Sequence, residues 1–326
     1  MRLWLAPIFL VIMFLISISV GQYSISIAEL WHSLTNIAQG HDLTDHDIVL
    51  WHIRMPRMLT AMVVGSALAI AGATYQGMFR NPLVSPDILG VSAGSGLGAV
   101  TAIYFGFSVV GIQVVAFLFG LATVALVYLI SQMVRRLDPI LALVLSGIAI
   151  SALLGAGISL VKLLSDPYSQ LTLITFWLMG SLTMATLEDL YIVVPLFIIS
   201  FMPLFLLRWR MNLLSLDDEE VLALGVNVQY LRLIFILSAT LMTSAVVSIS
   251  GVIGWIGLVI PHIARLWVGP DFRRLLPTAL FMGAGFLLLT DTLARTIFPI
   301  EMPLSILTAF IGAPFFIGLL LKGGAH

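Results

Sequence analysis

The sequence predicts an all-α, polytopic membrane protein, and three observations carry that expectation. Sixty per cent of the 326 residues are hydrophobic and ten per cent are charged, too few charges to cover a soluble domain of this length. The apolar residues fall into runs of about 20, the length a helix needs to cross the hydrocarbon core. The Lys and Arg residues are unevenly shared between alternate connections, as the positive-inside rule requires of a spanning chain. No long polar block leaves room for an appended soluble domain, so residues 1–326 read as one transmembrane domain. A net charge of −1 with no large basic cluster gives no footing for nucleic acid. The chain has no cysteine, which excludes disulfides, thiolate metal sites and cysteine nucleophiles.

Taken in order, the apolar runs give ten spans. The first, 4–20, follows Arg2 and resembles a signal peptide in outline, but it is as long as a spanning helix and no A-x-A site follows. It reads as a retained helix. The polar segment 21–53 comes next, with histidines at no tight metal-like spacing. Spans then follow at 57–79, 88–106, 111–133, 140–163 and 188–208. The piece "LITFWLMGSL" (173–182) is too short to span and reads as an interfacial or re-entrant helix. The stretch 232–267 is too long for one helix and breaks at "SISG" (248–251), giving spans at 232–249 and 251–267. Those at 276–296 and 304–322 complete the set.

With the N-terminus in the cytoplasm, the inner side collects Arg2, Arg80, Arg135, Arg136, Arg208, Arg210, Arg232, Arg265, Arg273, Arg274 and Lys322. The outer side collects Arg54, Arg57, Lys162 and Arg295, and the bias reverses if the chain is flipped. Both termini are therefore expected in the cytoplasm.

Several kinds of chemistry are excluded or weakened. Neither lysine, Lys162 nor Lys322, closes a G-x-x-x-x-G-K-[ST] loop, so the chain is not expected to be an ATPase. "GVSAG" (90–94) matches the G-x-S-x-G pattern around Ser92, but it opens a membrane helix and continues as "SGLG". Gly90, Gly94 and Gly98 then recur every four residues, which close helix packing explains better. Ion-coupled carriers need ionisable groups within the membrane, and only Asp291 and His262 approach a span interior. Asp291 stands four residues before Arg295, the spacing of a local ion pair.

Three further stretches stand out. Arg54 and Arg57, in "WHIRMPRML", lie on the costly side by the charge rule. They either snorkel to headgroups or, with Arg295, form a cationic rim for an acidic partner. The inner segment "RWRMNLLSLDDEEVLALGVNVQYLR" (208–232) carries four consecutive acids, Asp217 to Glu220, and "VLALG" reads as a short amphipathic helix ending on Gly225. In "GWIGLVIPHIARL" (254–266), Pro261 breaks the helical hydrogen-bond ladder. His262 is expected to supply a donor to the freed carbonyls and Arg265 to snorkel outward.

Three blocks carry a family likeness. "IRMPRMLTAMVVGSALAIAGATYQGMFRNPLVSPDILGVSAGSGLG" (53–98), "GVIGWIGLVIPHIARLWVGPDFRRLLP" (251–277) and "PLSILTAFIGAPFFIGLLL" (303–321) resemble the signatures of FecCD-type permeases, in family order and at family spacing. These are the membrane subunits of type II ABC importers for ferric siderophores, haem and cobalamin. The resemblance implies the type II permease fold, with ten helices per subunit and helices 2–5 and 7–10 as inverted repeats. It places the chain in the bacterial cytoplasmic membrane, paired with a second permease, identical or paralogous. Two ATPase subunits, which use ATP-Mg, would attach below, and a periplasmic or lipoprotein substrate-binding protein would dock outside. No cofactor is expected on this chain itself.

The same resemblance assigns candidate residues. Acidic side chains of the binding protein would meet Arg54, Arg57 and Arg295. The coupling element to the ATPase would be about 213–228, through Leu213, Leu216, Asp217, Asp218, Glu219, Glu220, Leu222, Ala223, Leu224, Gly225 and Val226. Arg80, Asn81 and Pro82, with Pro261, His262 and Arg265, belong to the structural motifs. Trp255, "DFRR" (271–274) and Ser305 depart from common family residues, which weakens inference about the cargo rather than the class. A ferric siderophore is the first expectation for that cargo, with haem, cobalamin and oxyanions such as molybdate behind it.

Overall fold

Helices supply every regular element among the described residues of the computed structural model, which are 4–21, 27–39, 44–134 and 137–323. Arg2, Arg135 and Arg136, three of the basic residues counted above, lie outside them. The first elements are α1 (Leu5–Ser19), α2 (Ile27–Gln39) and α3 (Asp45–Ile48), the last continuing through a π turn into α4 (Met55–Met78). A 3₁₀ turn at Pro86–Leu89 leads into α5 (Val91–Tyr104), then α6 (Val109–Met133), α7 (Pro139–Leu164), α8 (Gln170–Leu178) and α9 (Leu187–Leu206). α10 (Arg208–Met211), a second 3₁₀ turn and α11 (Asp218–Ala223) form a connection to α12 (Val228–Ser250). α13 (Ile256–Val268), α14 (Phe272–Ala294) and α15 (Leu304–Gly323) end the described chain.

The starts of these helices follow ordinary capping chemistry. Ser108 accepts from the Gly111 amide, and Asp138 caps α7 by accepting from Ile140 and Leu141, with Pro139 at the first position. Thr186 and Asp189 make a reciprocal capping box at α9. α8, nine residues long, matches the short apolar piece read as non-spanning.

Among the described residues, six helices are long and apolar enough to cross a bilayer: Asp45–Met78, Val109–Met133, Pro139–Leu164, Leu187–Leu206, Val228–Ser250 and Phe272–Ala294. Four shorter apolar helices occupy the remaining expected span positions: Leu5–Ser19, Val91–Tyr104, Ile256–Val268 and Leu304–Gly318. α5 and α13 fall short for a visible reason, because non-helical backbone precedes each of them. Gly90 takes the left-handed conformation before α5, and 251–255 is irregular before α13, with Gly251 and Trp255 at positive φ.

Burial divides the long helices into two groups. The most apolar window of α4 is 83% buried, and those of α12 and α14 are 72% buried. In α6, α7 and α9 the corresponding values are 33%, 22% and 22%, so much of their apolar surface lies outside the packed group. α4 is the axis of the packed group and touches α12, α13 and α14. Lipid tails are as apolar as leucine, so close backbone approach and hydrogen bonds hold such helices together. Gly65 lies against the carbonyl of Gly283, and Gly72 against that of Gly257, where a Cβ would overlap the oxygen. The Tyr75 hydroxyl meets Thr240 Oγ1 at 3.0 Å, linking α4 to α12. On α5, Gly94 and Gly98 rest against Thr123 and Phe119 of α6, the packing role expected of that glycine series.

Candidate functional site

α4 carries a charged cluster at each end. We call the Arg57 end outer and the Arg80 end inner, following the orientation that the charge bias predicts.

At the outer end, Arg57 bridges two carboxylates. Its Nε donates to Asp291 Oδ1 at 2.9 Å, and its Nη1 donates to Glu301 Oε1 and Oε2 at 2.9 and 3.0 Å. Asp291 has a fully buried side chain and takes a second cation, Arg295 Nε, at 3.7 Å, the i,i+4 pair its spacing suggested. Glu301 keeps 39% side-chain exposure and also accepts from Thr183 Oγ1 at 2.6 Å. Burial would raise the Glu301 carboxyl, but hydrogen bonds from Arg57 and Thr183 hold it below the usual glutamate range.

The other two outer arginines serve the end of α1. Arg54 Nη1 donates to Ile18 O, and Arg295 Nη2 donates to Ser17 O, each at 2.5 Å. A helix C-terminus leaves carbonyls without partners and carries partial negative charge, so two guanidinium groups there satisfy both needs. The sequence leads one to expect a cationic rim here. Arg54, Arg57 and Arg295 do come together, but Arg54 and Arg295 are buried, and two carboxylates offset the three cations. A cavity of about 660 Å³ opens beside Arg57 and Glu301, walled by Phe107, Phe176, Trp177 and Met302 with Gln113 and Thr183 as polar points.

At the inner end, the 208–226 connection is clamped from three sides. Arg80 Nε donates to Leu214 O at 2.7 Å, its Nη2 donates to Leu216 O, and the same guanidinium pairs with Asp217 and Asp218 at 3.1 Å each. Arg232, at the start of α12, donates to both Asp218 oxygens at 2.8 Å. Asn212 donates to Asp271 Oδ1 at 2.8 Å and accepts from the Phe272 amide at 3.0 Å, fixing the connection to the start of α14. The Arg273 amide and Asn212 hold the Asp271 carboxyl below its ordinary value. Leu214 and Val221 are buried inward, Leu213 and Val226 are half-buried, and Asp218 is turned to the clamps. Leu216, Asp217, Glu219, Glu220, Leu222, Ala223, Leu224 and Gly225 face outward, with Leu222 58% and Leu224 62% exposed. The short helix predicted before Gly225 is α11, and Gly225 ends it at φ 77°.

The Pro261–His262 stretch is corrected in detail. Pro261 lacks the amide that would pair with the carbonyl of Gly257. Gln76 on α4, rather than His262, offers its Nε2 to Gly257 O and Leu258 O, at 3.4 and 3.2 Å. His262 Nδ1 is buried without a hydrogen-bond partner. Arg265 does not snorkel away from the protein but donates to Gln76 Oε1 at 3.2 Å. Gln76 therefore repairs the proline gap and holds Arg265. Its signal in the sequence was an amide placed in a small-residue apolar helix. Asn81 accepts from the Leu83 amide at 2.9 Å, and Pro82 continues that turn. Ser92 donates to Asp87 Oδ1, a packing contact at the start of α5.

The model of the FecCD transport family matches residues 9–322. The chain belongs to the FecCD transport family. This FecCD chain is 42% identical over 314 residues to the molybdate import system permease protein of Haemophilus influenzae, covering 96% of this chain and 93% of that one. It is 40% identical over 317 residues to a protein of Helicobacter pylori described as a probable iron chelatin transport system permease, covering 96% and 95%. A solved structure described as an inward-facing conformation of a metal-chelate type ABC transporter superposes with a TM-score of 0.88, at 42% identity and 98% coverage of both chains. The all-helical fold seen here is thus shared by that transporter.

Proposed function

We propose that this FecCD chain is the membrane permease of an ABC importer and passes a metal-bearing solute, an iron chelate, from an external binding protein into the cytoplasm. The observation that carries the reading is the inner connection. A segment clamped to α4, α12 and α14 nevertheless presents exposed Leu222 and Leu224 beside Glu219 and Glu220, a surface shaped for a partner. ATP binding closes two partner ATPases, the connection follows, and packed helices rock as rigid bodies to open the path on alternate sides. In this reading the chain makes ten crossings with both termini inside and pairs with a second permease. Acidic side chains of the binding protein meet the outer arginine cluster, with Arg57 the cation nearest the cavity mouth.

Membership of the family and the iron chelatin and metal-chelate relatives support the choice of cargo. Molybdate is the second reading, favoured by the Haemophilus relative. An ion-coupled carrier is disfavoured, because Asp291 is already held by two arginines. The test is uptake into proteoliposomes holding the permease, its ATPase and its binding protein, with radioactive iron–siderophore and molybdate offered separately. ATP-dependent accumulation of iron supports the first reading, and accumulation of molybdate alone replaces it with the second. Uptake that proceeds without ATPase overturns the importer class.

A further inference from the structure

α4 ends in a Schellman motif, with the Asn81 amide donating to Gln76 O at 3.1 Å and the Arg80 amide to Gly77 O at 3.3 Å. The residue after the cap of such a motif takes the left-handed conformation, which glycine adopts without strain. α11 obeys that preference: Gly225 stands there at φ 77°, with the Val226 amide donating to Val221 O at 3.2 Å. α4 does not. Arg80 holds the position at φ 51°, and among the described residues the other non-glycine with positive φ is Trp255.

A strained backbone persists where its surroundings over-determine it. The surroundings of Arg80 are the carbonyls of Leu214 and Leu216 and the carboxylates of Asp217 and Asp218, all held by one guanidinium. From this left-handed turn the arginine side chain reaches from the helix end to the connection. A planar fork with five donors can hold four acceptors at once, and a lysine ammonium cannot reproduce that spread.

We infer that Arg80 is a positioning residue for transport: it sets the seat of the 213–226 connection and transmits its displacement into α4, the buried axis of the molecule. This rests on the reading of 213–226 as the ATPase-facing element. α4 also carries Arg57 at its outer end, so one rigid helix joins the inner connection to the outer charge cluster. Arg232 binds the same Asp218 but comes from α12, which makes it a second support rather than a substitute.

The decisive variant is Arg80→Gly, which suits the left-handed backbone and removes only the side chain. In the purified permease in nanodiscs, amide exchange over 213–226 is expected to quicken at least tenfold, with thermal stability held or raised. In proteoliposomes with the ATPase and binding protein, ATP consumed per solute imported is expected to rise several-fold. Arg80→Lys should recover only part of either effect. Leu224→Asp, on the exposed face, tests the underlying reading separately. If Leu224→Asp uncouples and Arg80→Gly leaves exchange or the ATP ratio at the parental value, the positioning role is overturned alone. If Leu224→Asp also leaves coupling intact, the element does not face the ATPase and the inference falls with that reading.

Discussion

Asp291 and Glu301 share one arginine but differ in what their loss should cost. Asp291 is sealed from solvent between Arg57 and Arg295, so Asp291→Asn strands buried charge and is expected to lower stability by about 3–5 kcal/mol. Glu301 is 39% exposed, and Glu301→Gln is expected to cost less than about 1 kcal/mol. Thermal unfolding of the purified permease in one detergent checks the contrast, and equal losses would show that Glu301 is not the weaker partner. Glu301→Gln also removes the carboxylate that occupies Arg57 at the cavity. The Kd for the binding protein should then tighten by up to about fivefold, the equivalent of a solvent-screened ion pair. An unchanged Kd would remove Arg57 from the docking surface. The i,i+4 pairing of Asp291 with Arg295 was legible from spacing alone. Its third member, Arg57, stands more than two hundred residues away in the chain, and no local pattern announces such a partner.

Helix α4 gathers what its sequence only hinted at. "MVVGSALAIAGATYQG" shows no clear amphipathic face, which for a helix in a large assembly means burial on all sides. Its glycines set the distance to α13 and α14. Gly65→Ala and Gly72→Ala are expected to destabilise by about 1–3 kcal/mol each, because the added methyl overlaps a neighbouring carbonyl. Gly155→Ala, on α7 with open space around it, should be neutral or stabilise by up to about 1 kcal/mol. Unfolding temperatures of the three variants decide this, and a tolerated Gly72→Ala would contradict the close α4–α13 approach. Gln76 illustrates the other limit of sequence reading. Pro261 announced a missing hydrogen bond, but which donor would fill the gap depended on a helix about 180 residues earlier.

For the whole molecule, the positive-inside bias sets a testable orientation. The absence of cysteine makes single-cysteine labelling direct. A membrane-impermeant maleimide applied to spheroplasts should label Tyr168→Cys, at an exposed outer turn, and label Ser215→Cys, in the inner connection, only after lysis. The reverse pattern would invert the assignment of docking and coupling ends. Composition, run length and charge bias by themselves determined a helical membrane domain, the position of each apolar segment, and the charged connection between the sixth and seventh of them. Those features are local or additive: a bilayer selects for about 20 apolar residues, whatever their neighbours in space. The tertiary structure alone decided which helices are central, that α5 and α13 begin after non-helical backbone, and that the outer arginines turn inward. It also decided that Arg80 takes a glycine's conformation to reach the inner connection. Each of these depends on groups distant in the chain satisfying one another's charge, carbonyls or volume, and a linear pattern does not carry that information.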